Sequence, residues 1–287
     1  LEAIYQTLQR STASGHGQSY WQVAANCGER RYLSDLHKEI AAQGELYLEQ
    51  KKLGTFYHGL KDLWWKGGID GMVIDVGDVL ESEWQQAIKL FRFAIEEFPK
   101  PYWGTLLASE YRFPSSEEHK SAIRAFFGHD DLTGAADRVF YWDEATVRNI
   151  ENDRQVELRG PGIYIVDDKT AGARASDQKA SGSYLNSIQS MVYPLLWNLQ
   201  GGEPCKGILF DVIVNHKDLR RHDVDKRTLS SVQTFFAPWN ESRDLRARGA
   251  INFAKAQRDS RVKNPFACES YDGHRCPFLA NGVCNGI

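Results

Sequence analysis

No apolar run in the 287-residue chain is long enough to span a bilayer, and no signal-peptide pattern opens it. These two absences give the expectation of a soluble, intracellular protein; the first residue is Leu1 rather than Met, which leaves room for residues upstream. No Gly-x4-Gly-Lys-(Ser/Thr) motif occurs, which excludes a P-loop ATPase within this chain. Internal repeats and long linkers are absent too. One compact domain over 1–287 is therefore expected: a helical part (1–50), a core (51–240) and a peripheral tail (241–287). Cysteine is scarce: five residues, an odd number, argue against a disulfide framework. Net charge is small at −3, which excludes a uniformly basic nucleic-acid binder. What remains is ordinary globular composition, 42% hydrophobic and 25% charged.

The small net charge hides an uneven distribution. From Lys206 to Lys263 there are 13 Lys/Arg against 7 Asp/Glu. A basic stretch of this kind either meets a polyanion or forms a solvated face, and charge alone favours the second.

The chain is organised around Gly162-Ile163-Tyr164-Ile165-Val166-Asp167-Asp168-Lys169-Thr170. A β-branched apolar run of this length reads as a buried strand. Side chains alternate along a strand, so Asp167 and Lys169 share one face and Asp168 takes the other. Unpaired buried charges are costly, so these groups pair with each other or hold a metal. On these residues alone, a strand ending in a solvated salt bridge explains the pattern as well.

Around this strand the periodicities predict an alternation of helices and strands. Helices are expected over Ser19–Ile40, Gly44–Lys66, Glu81–Phe98, Glu117–Phe127, Ser183–Gln200 and Glu241–Arg258. Strands are expected over Trp103–Phe113, Leu132–Trp142, Lys206–His216 and Ser230–Phe236. The polar stretch Asn149–Arg159 reads as a hairpin loop, and Ala171–Gly182 as a loop. Gly54, in mid-helix, allows close packing or the approach of a ligand. His58 lies four residues later among Phe56, Tyr57, Leu60, Trp64 and Trp65. If the strands carrying Asp137 and Asp167 are antiparallel neighbours, the two acids meet. Gln189 and Tyr193, four apart on a helix, share a face.

In order, these residues spell Gly54-x3-His58, Gly134-x2-Asp137, Asp167-Asp168-Lys169-Thr170 and Gln189-x3-Tyr193. The set resembles the RecB type of PD-(D/E)XK nucleases, which includes the RecB and AddB nuclease domains and CRISPR-associated nucleases of spacer acquisition. The likeness covers roughly residues 20–200. The resemblance implies an α/β fold, with a central mixed sheet flanked by helices. It implies a Mg²⁺- or Mn²⁺-dependent deoxyribonuclease, most simply an exonuclease acting on DNA ends or single strands in recombination, repair or phage DNA processing. A spacer-processing nuclease is the nearest alternative. A DNA-end-binding module that cleaves nothing is the alternative of another class.

The implied roles follow residue by residue. Asp137, Asp167, His58 and the backbone carbonyl of Asp168 hold the cation, hard donors suited to Mg²⁺ or, with an imidazole, Mn²⁺. Lys169 stabilises charge on the phosphate. Gln189 and Tyr193 position the strand. Glu110 is auxiliary, and an edge-strand salt bridge explains it almost as well. Cys27 with Cys268, Cys276 and Cys284 matches the family's one-plus-three distribution for a 4Fe-4S cluster. The tail spacing, Cys-x7-Cys-x7-Cys, is wider than the familiar set, so Zn²⁺ remains an alternative. Cys205 has no place in that scheme and reads as structural. DNA, and a helicase or recombination protein, are the implied partners; the cytoplasm of a prokaryotic or phage-infected cell is the implied location.

Overall fold

The computed structural model describes residues 24–25, 48–68, 82–129, 132–172, 184–215, 230–261 and 284. The expected helix Ser19–Ile40, apart from Ala24 and Ala25, lies outside the described residues. So do most of the loop Ala171–Gly182 and three of the four cysteines proposed as cluster ligands, Cys27, Cys268 and Cys276.

Helix α1 (Leu48–Trp65) buries Leu53, Tyr57, Leu60 and Trp64, residues four, three and four apart that form one stripe. Helix α2 (Ser82–Glu97) buries Ile88, Phe91 and Ile95 in the same way. The two stripes meet in one core cluster, which Ile213 joins from the sheet. A 3-10 turn follows at Lys100–Trp103, where Pro101 presets the backbone, so strand β1 begins at Thr105 rather than Trp103 and runs to Phe113. Strands β2 (Gly134–Trp142), β3 (Gly162–Gly172), β4 (Cys205–Asn215) and β5 (Ser230–Pro238) complete a five-stranded sheet in the order β1-β2-β3-β4-β5. Strands β2 and β3 are antiparallel, β3 and β4 parallel, and β4 and β5 antiparallel. The architecture is thus mixed α/β, a mixed sheet flanked by helices, as expected.

One expected element is corrected. The β2–β3 connection holds helix α4 (Glu144–Arg154) where the sequence suggested a hairpin loop. The Asp143 side chain accepts from the Thr146 N–H and caps the helix. Val147, Ile150 and Arg154 are buried on one side, against the cluster of Trp103, Phe140, Trp142, Tyr164 and Leu209. Two apolar residues and a buried arginine are too few for periodicity to stand out in so polar a segment.

The crossover between β3 and β4 carries helix α5 (Ile188–Leu199), whose Ser187 cap accepts from the Ser190 N–H. These elements lie in the first of two compact units, which takes in Glu49–Phe113 and Ala135–Asn240. The second takes in Pro114–Gly134 and helix α6 (Glu241–Asp259). In it, helix α3 (Glu117–Phe127) is capped by Ser116 and buries His119, Ile123 and Phe127. Helix α6 buries Ala247, Ile251 and Ala254. No described helix is long and apolar enough to cross a membrane.

Gly54 answers to a close approach. A Cβ built there would lie 3.3 Å from Thr170 Oγ1, so α1 rests directly on β3 at the end of the acidic run. Gly54→Val is expected to cost about 1–3 kcal/mol through this overpacking, read as a lower urea midpoint.

Cys205 opens β4 fully buried, its thiol donating to the Gly207 carbonyl at 3.1 Å. Burial pushes that thiol up to about 12. In native protein at pH 8, iodoacetamide is expected to leave Cys205 unmodified by peptide mapping, and to label it in urea. The unfolded thiol ionises near pH 9 while the folded one stays protonated, so its burial contributes progressively less stability as pH rises from about 9 towards 12.

Candidate active site

Strand geometry alone brings the two acids together. The β2–β3 register runs from Trp142↔Gly162 to Arg138↔Val166, and one residue further the strands carry Asp137 and Asp167. The Asp168 N–H donates to Asp137 Oδ2 at 2.8 Å, so Asp137 is fixed against the β3 backbone. From α1, His58 Nδ1 lies 3.2 Å from the same oxygen. Lys169 Nζ closes on Asp167 Oδ2, and Gln189 Nε2 donates to Asp167 Oδ1. Five of the expected residues therefore form one continuous cluster, drawn from α1, β2, β3 and α5. The alternation along β3 is as expected: Asp167 and Lys169 pair, whereas the Asp168 carboxylate meets Arg138 and Lys61 instead.

Exposure decides how the cluster is layered. The Asp167 side chain is 2% exposed and forms the floor, while those of Asp137, His58 and Lys169 are 16%, 27% and 30% exposed and reach solvent. The solvated salt bridge suggested by the strand alone is thus not what Asp167 makes. Gln189 and Tyr193 are each 6% exposed. Gln189 reaches Asp167 directly and Tyr193 lies near enough to feel its charge, so what Gln189 positions is the carboxylate.

Electrostatics follows from this layering. Burial disfavours the His58 imidazolium, but the adjacent Asp137 carboxylate outweighs it and raises the group to about 9. Burial would raise Asp137, yet His58, Lys169 and Arg138 together hold it well below the ordinary carboxylate range. Asp167 goes the other way. Burial and the charge of Asp137 push it up to about 6 against the pull of Lys169. Lys169 would be lowered by burial, but Asp167 and Asp137 hold it above the usual ammonium range. Tyr193 is raised beyond the ordinary phenol by burial and by Asp167.

Glu110 belongs to the same neighbourhood. Burial, followed by the charge of Asp137, raises its carboxyl to about 7. Its backbone adopts a left-handed φ of 51°, uncommon for a non-glycine residue and a feature of bulges and functional sites. Among the described residues no cation stands within ion-pairing distance of it.

The donor types suit a hard divalent cation: two carboxylates, one imidazole and nearby backbone oxygen. In the arrangement described, the chain's own cations occupy those oxygens, Lys169 on Asp167 and His58 on Asp137. Among the described residues no three His, Cys, Asp or Glu side chains stand at metal-holding distance from one another. Cys284, the one proposed cluster ligand that is described, is partly buried.

Behind the site lies a layer of buried charge that sequence reasoning did not single out. Lys61, Arg138, Arg154, Asp168 and Asp211 are all within 9% of complete burial. Asp168 and Asp211 stand side by side in the β3–β4 register. Arg154 Nη1 lies 3.3 Å from Asp211 Oδ1, and its guanidinium covers the Phe98 ring at 3.4 Å. The available signal was a charged residue inside an otherwise apolar run: Asp211 within Gly207–Val214, Arg138 before Val139-Phe140, Lys61 after Leu60. The chain matches no family model and no curated protein.

Proposed function

We propose that this chain is a metal-dependent DNA nuclease with a PD-(D/E)XK core of the RecB type, acting as an exonuclease on DNA ends or single strands. One observation carries the reading: His58, Asp137, Asp167, Lys169 and Gln189, scattered over more than a hundred residues of sequence, stand in one partly open cluster. His58, Asp137 and Asp167 would hold Mg²⁺ or Mn²⁺, with the Asp168 carbonyl adding an oxygen. When bound, the cation would polarise the phosphoryl oxygen and lower the pKa of a water.

The chain's own residues do the rest. Lys169 keeps a positive charge at the solvent edge, where negative charge builds on the phosphate. Gln189 fixes one oxygen of Asp167 and so its orientation. Tyr193 walls the floor, and Glu110 borders Asp137. The basic stretch Lys206–Lys263 supplies attraction for the DNA backbone. Cys27, Cys268, Cys276 and Cys284 would hold a 4Fe-4S cluster, with Zn²⁺ the competing metal. An absorbance spectrum of anaerobically purified protein separates the two, since thiolate-bound iron–sulfur clusters are coloured and zinc is not. Recombination, repair or phage DNA processing is the setting, beside a helicase or recombination protein; spacer trimming is the variant within the same chemistry.

A second reading, a DNA-end-binding module that cleaves nothing, is favoured by the internal pairing of both carboxylates with the chain's own cations. One experiment separates them. Single- and double-stranded DNA labelled at the 5′ or 3′ end is incubated with the protein and Mg²⁺ or Mn²⁺. Metal-dependent shortening supports the nuclease; equal affinity with and without metal, and no product, supports the binding module.

A further inference from the structure

We propose that Lys61, Arg138 and Asp168 form a positioning triad that holds the three elements bearing His58, Asp137 and Asp167 in register from behind. The inference concerns the site assigned above and rests on that assignment only for its consequence in catalysis. The geometry pairs the two clusters element by element. Helix α1 gives His58 to the site and Lys61, one turn later, to the triad. Strand β2 gives Asp137 to the site and Arg138, its chain neighbour, to the triad. Strand β3 gives Asp167 to the site and Asp168, again its neighbour, to the triad.

The contacts are buried and converge on one carboxylate. Arg138 Nη1 closes on Asp168 Oδ2, and Lys61 Nζ lies 3.8 Å from Asp168 Oδ1. The three side chains are 1–3% exposed. Lys61 also stands over the rings of Tyr57 at 5.8 Å and Trp103 at 6.0 Å, which fixes its ammonium from the other side. Asp168 is the link between the layers. Its side chain anchors the triad, and its own N–H holds Asp137 Oδ2 at 2.8 Å. A shift of Asp168 therefore moves the acid that His58 contacts.

Burial in such a place is not explained by stability. Exchanging a buried ion cluster for apolar residues of similar volume is often neutral or stabilising. What ions add over apolar contact is direction. Arg138 and Lys61 meet Asp168 only in one relative setting of α1, β2 and β3, while apolar faces tolerate sliding.

The test replaces the triad as a unit, Lys61→Met with Arg138→Met and Asp168→Leu, in the full chain. The expected result is melting within a few degrees of the native protein. Exchange of the residue-168 amide, followed by NMR, is expected to quicken at least about tenfold as the bond to Asp137 loosens. DNA cleavage is expected to fall by about 10²-fold, the cost of a misplacement near 1 Å. Native exchange at that amide in a folded triple variant overturns the proposal. Should the triple variant fail to fold, Arg138→Lys is read instead: it keeps the charge and loses the fork. Faster amide exchange at nearly native melting then supports the triad, and unchanged exchange overturns it. If the native protein cleaves no DNA, the nuclease reading falls, while the amide exchange still decides the triad.

Discussion

Lys169→Ala is expected to lower metal-dependent DNA cleavage by about 10²–10³-fold, the usual loss when one preorganised stabiliser of developing charge is removed. The Lys169 side chain is 30% exposed, and its ammonium closes on the floor carboxylate of Asp167. A substrate phosphate arriving there would meet the ammonium beside Asp167. Truncation leaves the buried Asp167 carboxyl facing only the Gln189 amide, so melting is expected to fall by a few degrees with the protein still folded in the assay. It also strips the cation that opposes the burial of Asp167, whose carboxyl then rises further. The check is initial cleavage rate on labelled DNA with Mn²⁺, alongside a melting curve. Cleavage at the native rate would remove Lys169 from the chemistry and with it the nuclease assignment.

The largest stability effect is expected at Arg138. Arg138→Met leaves the Asp168 carboxylate fully buried with only Lys61, 3.8 Å away, to offset it. Breaking a buried pair by removing one partner typically costs about 3–5 kcal/mol. Burial would push Asp168 up, but Arg138 first and Lys61 second hold it below the ordinary carboxylate range. Adding Asp168→Leu to Arg138→Met should return much of the lost stability, because no unpaired charge is then buried. Urea unfolding of the two single variants and the double variant measures the coupling. A single Arg138→Met variant as stable as the native protein would show that Asp168 takes up a proton or finds water.

Much of the site was legible because a strand has only two faces. The split between Asp167 and Asp168 follows from parity, and the antiparallel pairing of β2 with β3 brings Asp137 alongside. Gln189 and Tyr193 were placed by helical spacing, but their depth was not readable: nothing local reveals that α5 lies so close to β3 that Gln189 spends its amide on Asp167. Helix α4 was missed because its apolar face is two residues wide and its cap, Asp143, looks like any turn residue. The triad was missed for another reason. Lys61, Arg138 and Asp168 are far apart in sequence, and parity put the Asp168 side chain on the face away from Asp167 without naming what meets it; only the fold makes the three neighbours.

The left-handed backbone at Glu110 reaches beyond the site. Among the described residues strand β1 is an outer strand of the sheet, and an outer strand offers N–H and C=O groups to any second chain that arrives extended. It also carries Leu107, 47% exposed, which would reward such an encounter. At Glu110 the extended run is broken, with φ at 51°. A strand laid along β1 would therefore lose register midway, so the kink disfavours edge-to-edge pairing there.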